Sequence, residues 1–241
     1  MPKTGSMKRA MLPAASRKTL LISTLVGAPL GALIARGDLH KIATIPFFTL
    51  DHTLLGHKYL FKAGLVCFVI FGLYWEIASK NSAPATSSES KLSRAIHVTL
   101  TNVALVLEFA PIHGIGRLYP AIPVVMATGV GLETAGLAFA IWARRHLGQH
   151  WSGEITIKVD HELIQTGPYR LVRHPIYTGL LTMCLGAALL TGERLALLGL
   201  AMVFYAYYRK THLEEANLNI AFGPRYDAYR SKTSAIIPGI Y

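Results

Sequence analysis

The stretch IYTGLLTMCLGAALLTGERLALLGLAMVFYAYYRKTHLEE, residues 176–215, decides the fold. It holds two apolar runs, 176–192 and 195–208, parted by little more than Gly192, Glu193 and Arg194. A glycine and a charged pair end one helix and open the next, so the runs are expected to fold back as a helical hairpin. Each run approaches the ~20 apolar residues that cross a bilayer. RHPIY (173–177) opens the first helix and RKTHLEE (209–215) follows the apolar part of the second. The hairpin therefore brings Arg173 and His174 beside Glu214 and Glu215.

Outward from this stretch the chain stays apolar. Of its 241 residues 52% are hydrophobic and only 15% charged, against about 25% charged in a soluble domain. Four more apolar runs stand at 19–35, 60–78, 95–110 and 121–143. The expected fold is all-α: a polytopic membrane protein of about six transmembrane helices. The first run follows a basic opening and lacks a small-x-small cleavage site, so it reads as an uncleaved helix. IPFFTL (45–50) is too short to cross and is expected at the interface. KNSAPATSSESK (80–91) is a polar linker. The chain divides into 1–143, with four spans and this linker, and 144–241, with the hairpin 176–208.

The net charge of +11 needs a partner. With six spans, three quarters of the 24 lysines and arginines fall on the side of the N terminus, which predicts N-in and C-in. These cations lie scattered over four segments rather than in one basic domain, so nucleic acid is not expected and membrane lipid is. Cys67 and Cys184 lie inside apolar runs without CxxC spacing and read as small core residues. His97, His113, His146 and His150 show no ligand spacing, and no metal is expected.

The base of the hairpin gathers acidic and basic groups, and Pro175 at a first helical turn leaves backbone N–H groups for an anion. Such a volume suits a zwitterion carrying an ammonium and a carboxylate. Interfacial Arg, Lys, Tyr and Glu anchors at helix ends would look the same.

HELIQTGPYRLVRHPIYTG (161–179), the EE at 214–215 and FGPRYDAYRSKTSAIIPGIY (222–241) together resemble the isoprenylcysteine carboxyl methyltransferases and their bacterial relatives. The resemblance covers about residues 140–241 and implies an integral membrane methyltransferase. Its cofactor, S-adenosyl-L-methionine, would lie in a cytoplasmic pocket built on the hairpin, making 144–241 the methyltransferase region. By the same resemblance His161, Glu162, Leu163, Ile164, Tyr169, His174, Pro175, Ile176, Tyr177 and Glu214 are cofactor-binding. Glu154 stands where eukaryotic members have a glutamine. Lys210 stands where they place an arginine for the substrate carboxylate. Lysine keeps the charge but not the bidentate fork.

Methyl transfer from a sulfonium needs donor and acceptor in line, about 3 Å apart. A carboxylate acceptor arrives ionised, and Arg173 or Lys210 would orient it. An amine or thiol must lose a proton, to Glu215 or His212. The candidate catalytic residues are thus Arg173, Lys210 and Glu215, acting on a lipophilic acceptor that enters from the bilayer. A phospholipid amine or small-thiol methyltransferase is the alternative within enzymes. A non-catalytic transporter or assembly factor would spread its polar residues along a path through the spans, whereas here they gather at one end of one hairpin.

Glu133, in the middle of a run, is a functional candidate by default, or else protonated or paired within the bundle. Glu108 and Glu76 lie near span ends and read as structural. Gly129, Gly131 and Gly136 suit close helix packing. Trp151 is expected to anchor at the interface. FGPRYDAYR reads as an amphipathic helix, with Phe222, Tyr226 and Tyr229 inward, that closes over the site.

Overall fold

Proline sets the start of three helices. Pro123, Pro175 and Pro224 each occupy a first turn, where a missing N–H would have had no helical partner anyway. The computed structural model describes residues 55–80, 89–109, 115–151 and 162–241. Its helices are α1 (Leu55–Ser79), α2 (Lys91–Phe109), α3 (Pro123–Leu147), α4 (Pro175–Thr191), α5 (Arg194–Phe222) and α6 (Pro224–Arg230). Short 3₁₀ turns stand at Gly148–His150 and Gly167–Arg170. No β-strand occurs among the described residues. The run 19–35, IPFFTL, most of the linker, His113, Glu154 and His161 lie outside them.

Three segments are long and apolar enough to cross a membrane: Lys58–Ser79, Lys91–Phe109 and Pro123–His150. They correspond to the expected runs 60–78, 95–110 and 121–143. The helix containing 95–110 begins earlier because Ser90 caps it, its Oγ accepting from the Ser93 N–H at 3.2 Å. α4 is apolar but only 17 residues long. α5 does not stop with the apolar run at 208; it runs on to Phe222, 29 residues in all from Arg194. Between Tyr208 and Gly223 the chain has no glycine or proline and is rich in strong helix formers.

α3 packs more extensively on α4 than any other two helices pack together. The reason lies in four glycines. A Cβ at Gly186 would stand 2.5 Å from the Gly129 carbonyl oxygen, and one at Gly179 2.6 Å from that of Gly136. The helices therefore meet backbone to backbone, as small residues permit in apolar surroundings. Gly131 has open space where its side chain would be and takes no part. Gly199 of α5 repeats the device, a Cβ there standing 2.6 Å from the Ala104 carbonyl oxygen of α2.

Cross-helix bonds fix which ends share a side. Arg144, near the end of α3, donates to Ala78 O near the end of α1. Arg209 of α5 donates to Ser93 Oγ at the start of α2, 2.7 Å away. At the opposite end, the Leu118 N–H donates to Gly192 O at 2.8 Å and Tyr119 OH to Leu189 O at 2.6 Å. So α1 and α3 finish where α2 and α4 begin, and the middle of α5 returns to that same end. Cys67 and Cys184 are buried in the core. Trp151 is buried too, not interfacial. The Arg144 guanidinium lies over its ring at 4.5 Å and the Trp75 ring meets it edge-on at 6.2 Å. An aromatic ring that covers a buried cation is held inside by it.

Candidate functional site

The segment before α4 bends at Gly167, where φ is +58° and the His146 ring occupies the space of a side chain. The turn directs Tyr169 inward, and Tyr229 OH of α6 donates to Tyr169 O at 2.5 Å. Tyr226 and Tyr229 are both buried, as the amphipathic pattern of α6 predicts.

Beyond α6 the chain turns back over the start of α4. Val172 and Ser234 bridge in parallel, the Arg173 N–H donates to Ser234 O at 2.8 Å, and the His174 N–H to Ala235 O at 2.9 Å. Thr178 Oγ1 donates to Ile236 O at 2.6 Å. The backbone donors at Arg173 and His174, just before the helix, are thus occupied by the C-terminal strap 231–241.

Under the strap lies a buried ionic cluster. Arg173 Nε donates to Glu215 Oε1 at 2.8 Å, and its Nη1 is bonded by Thr233 O and Arg230 O. His174 bridges both acids, Nε2 lying 3.3 Å from Glu215 Oε1 and Nδ1 3.4 Å from Glu214 Oε2. Tyr177 OH donates to Glu214 Oε1 at 2.5 Å. Arg230 Nε approaches Glu215 Oε2 at 3.5 Å. Lys210 is buried with its Nζ 5.8 Å from the centre of the Tyr177 ring, and that ring lies 4.6 Å from Tyr207.

The electrostatics follow from these contacts. Burial opposes charge on Glu215, but hydrogen bonds from His174 and Arg173 prevail and hold its carboxyl down to about 2. Burial opposes charge on Glu214 as well. The His174 bond, the Lys210 charge and the Tyr177 hydroxyl outweigh it and hold the carboxyl below its ordinary range. Burial would neutralise His174, yet Glu214 and Glu215 together raise its pKa above the ordinary histidine value.

The structure brings together Arg173, His174, Tyr177, Lys210, Glu214 and Glu215. Tyr169 and Pro175 are buried beside them, and Ile176 is half-buried against the core. Glu162 is exposed, and Leu163 and Ile164 are half-buried, in the irregular segment before the turn. His212 is exposed and faces Tyr241 OH at 3.2 Å, away from the acids. Sequence reasoning missed His97, Tyr207 and the strap. His97, Thr101, Ala104 and Glu108 form the buried face of α2. Their spacing of four, three and four is a polar stripe at helical period, a signal already present in the run.

The described residues thus form a helical bundle with three segments apolar enough to cross a membrane and a charge-compensated cluster at one end. Residues 129–220 match the model of the Isoprenylcysteine carboxyl methyltransferase (ICMT) family. The chain is 31% identical over 118 residues to the protein-S-isoprenylcysteine O-methyltransferase of Schizosaccharomyces pombe, covering 48% of this chain and 50% of that one. It is 33% identical over 82 residues to the probable protein-S-isoprenylcysteine O-methyltransferase of Oryza sativa subsp. indica, covering 34% and 43%. With the Dictyostelium discoideum protein-S-isoprenylcysteine O-methyltransferase it shares 24% identity over 209 residues, 80% of this chain and 82% of that one. The chain spans about half the length of the first two relatives.

Proposed function

We propose that the protein is an S-adenosyl-L-methionine-dependent methyltransferase acting on a lipophilic acid, an isoprenylcysteine-like acceptor that enters from the bilayer. The observation that carries this reading is Glu214. It is an ionised carboxylate at the end of the bundle, within the family-matched segment, held by His174 and Tyr177 beside Lys210.

The donor set fits such a cofactor. A carboxylate offers about four acceptor sites, and the bonds from Tyr177 and His174 to Glu214 leave capacity for an ammonium. When bound, S-adenosyl-L-methionine supplies an electrophilic methyl group. Glu214 would hold its ammonium, with Tyr177 and His174 fixing the carboxylate. Tyr169, Pro175 and Ile176 would line the pocket, continued by His161, Glu162, Leu163 and Ile164.

The chain's own residues favour an acceptor that arrives ionised. Glu215 is tied to Arg173, His174 and Arg230 and held near 2. A carboxylate that acidic is a poor base for an amine or thiol. Arg173 is committed to Glu215 and to the strap carbonyls. We therefore assign Arg173 and Glu215 to holding the pocket closed, and Lys210 to orienting the acceptor carboxylate. The reading includes six spans, a hairpin of α4 with the first half of α5, N-in and C-in orientation, and a cytoplasmic pocket. The alternation of helix ends and the distribution of lysine and arginine support it.

Isothermal titration of the full chain in detergent with S-adenosylhomocysteine tests the proposal. Binding is expected, weakened about a hundredfold in Glu214→Ala and about tenfold in Tyr177→Phe, as for a charged and a single buried hydrogen-bond partner. No binding by the folded wild type, or equal binding by both variants, would overturn it.

A further inference from the structure

The strap 231–241 runs along the start of α4 and in the same direction. Val172 and Ser234 pair in parallel, the His174 N–H meets Ala235 O, and Thr178 Oγ1, one turn into α4, meets Ile236 O. The strap therefore descends from the ionic cluster toward the apolar body of the bundle. Its far end reaches the level of Tyr208, where the apolar run of α5 stops, and the Tyr208 and Tyr241 rings lie 5.3 Å apart. Tyr205 and Tyr208 are exposed near this level, as aromatic rings are where a span leaves the hydrocarbon.

Two properties set the tip of the strap apart from a loop built for water. Its side chains are apolar and outward: Ile240 is 81% exposed, and Ile237 is exposed beside it. Its backbone is closed. Pro238 has no N–H, and every other N–H from Ile236 to Tyr241 is bonded within the strap. Ile236 and Ile237 donate to Tyr241 O, Gly239 to Ser234 Oγ, and Ile240 and Tyr241 to Ile237 O. Water satisfies the donors of an ordinary surface loop, whereas a segment that leaves water must satisfy them itself. Above the tip, Arg225, Arg230 and Lys232 are exposed, with Asp227 as the one exposed acid of α6. Cations over an apolar tip are the order of an interfacial anchor.

Resting on the proposed membrane hairpin of α4 and α5, we infer that residues 237–241 are a lipid-docking surface. Ile237 and Ile240 enter the boundary between headgroups and acyl chains, and Arg225, Arg230 and Lys232 lie among the headgroups. The bilayer then holds the strap at its lower end while the ionic cluster holds it above. Ile220 supplies the contrast. It is 79% exposed, but it lies about 18 Å beyond Tyr208 along α5 at about 1.5 Å per residue, and so in water.

The test measures depth. Ile240→Cys, Ile220→Cys and Leu198→Cys, each in the full chain, carry an environment-sensitive fluorophore in nanodiscs of phosphatidylcholine and phosphatidylglycerol. Cys67 and Cys184 are buried and do not compete for the label. Leu198, 51% exposed in the apolar half of α5, reports on the span itself. Nitroxides on the lipid headgroup, deep on the acyl chain or dissolved in water quench each label according to its depth. The label at 240 is expected to lose its emission to the headgroup nitroxide and keep it against the aqueous one. The label at 220 should do the reverse, and the label at 198 should lose its emission to the acyl-chain nitroxide. Ile237→Cys is the second reporter should the variant at 240 fail to fold. Quenching at 240 by the aqueous nitroxide alone, with 198 quenched from the acyl chain, overturns the docking surface and leaves the span standing. A label at 240 shielded from all three nitroxides shows that protein, such as a second copy, covers the tip, and overturns the lipid assignment. Aqueous quenching at 198 overturns the span, and the inference with it.

Discussion

Two pairs of glutamates sit in this molecule under opposite conditions. At the end of the bundle, Glu214 and Glu215 are met by Arg173, His174, Tyr177 and Arg230. Inside it, Glu108 of α2 and Glu133 of α3 are fully buried, and among the described residues their carboxyl oxygens meet no nitrogen or oxygen partner, only the Cys184 thiol standing beside Glu108. The interior pair is surrounded by small residues. A Cβ at Gly64 would lie 2.6 Å from Glu133 Oε2, one at Gly186 2.8 Å from Glu133 Cγ, and one at Gly199 2.8 Å from Glu108 Cγ. The first pair is held by charge, the second by shape. The two pairs thus differ in whether several chain segments bring donors to the acids.

The largest effect expected from this contrast is that of Glu215→Ala. It leaves Arg173 and His174 buried without their shared partner, a loss of about 3–5 kcal/mol. Thermal unfolding should fall accordingly, and amide exchange across the strap should quicken. Unchanged protection of residues 234–236 would mean that the strap does not depend on the cluster. Gly186→Val attacks the interior instead. Overpacking there is expected to cost about 1–3 kcal/mol in unfolding experiments, and a neutral result would show that α3 and α4 do not meet so closely.

The charged pair should also give stability a pH window. Glu215 is lowered from 4.5 to about 2. Its contribution is complete above the unfolded value and fades as pH falls through about 2. His174 is raised above 6.5. Its contribution is complete below 6.5 and is lost as pH climbs through the higher folded value. Melting temperature should therefore be greatest between about 4.5 and 6.5 as far as this pair decides it. Glu215→Gln should flatten both limbs, and a profile unmoved by that change would place the titration elsewhere. The smallest effect is reserved for Glu133→Gln, which keeps the shape and should shift stability by less than about 1 kcal/mol. A loss as large as that of Glu215→Ala would mean that Glu133 is held by charge after all.

The helices at 60–78, 95–109 and 121–143 and the meeting of RHPIY with EE were legible in the sequence, because apolar length and a two-residue break leave the chain few options. The extent of α5 was less so. Hydropathy stops at Tyr208, but backbone hydrogen bonding continues until a glycine or proline interrupts it, here at Gly223. Trp151 read as an interfacial anchor because a tryptophan beside polar residues usually is one, and its burial depends on Arg144 arriving from seven residues earlier. The strap was hidden for a different reason. On the strap's side its contacts with 172–178 are main-chain carbonyls, some sixty residues along the chain from their donors, and main-chain atoms carry no residue code.

α5 is one uninterrupted helix from Arg194 to Phe222. It works as a ruler, its apolar half setting the zero and its polar half carrying Lys210, Glu214 and Glu215 at fixed marks. Each residue added to the apolar half turns those marks by about 100° and advances them about 1.5 Å. A single alanine inserted near Leu200 would swing Lys210 and Glu214 away from Tyr177 while leaving both side chains intact. Seven inserted residues would restore the phase but displace the marks by roughly 10 Å along the axis. The position of Lys210 and Glu214 against Tyr177 is therefore written in the count of residues along one helix, as much as in the identity of the residues at its end.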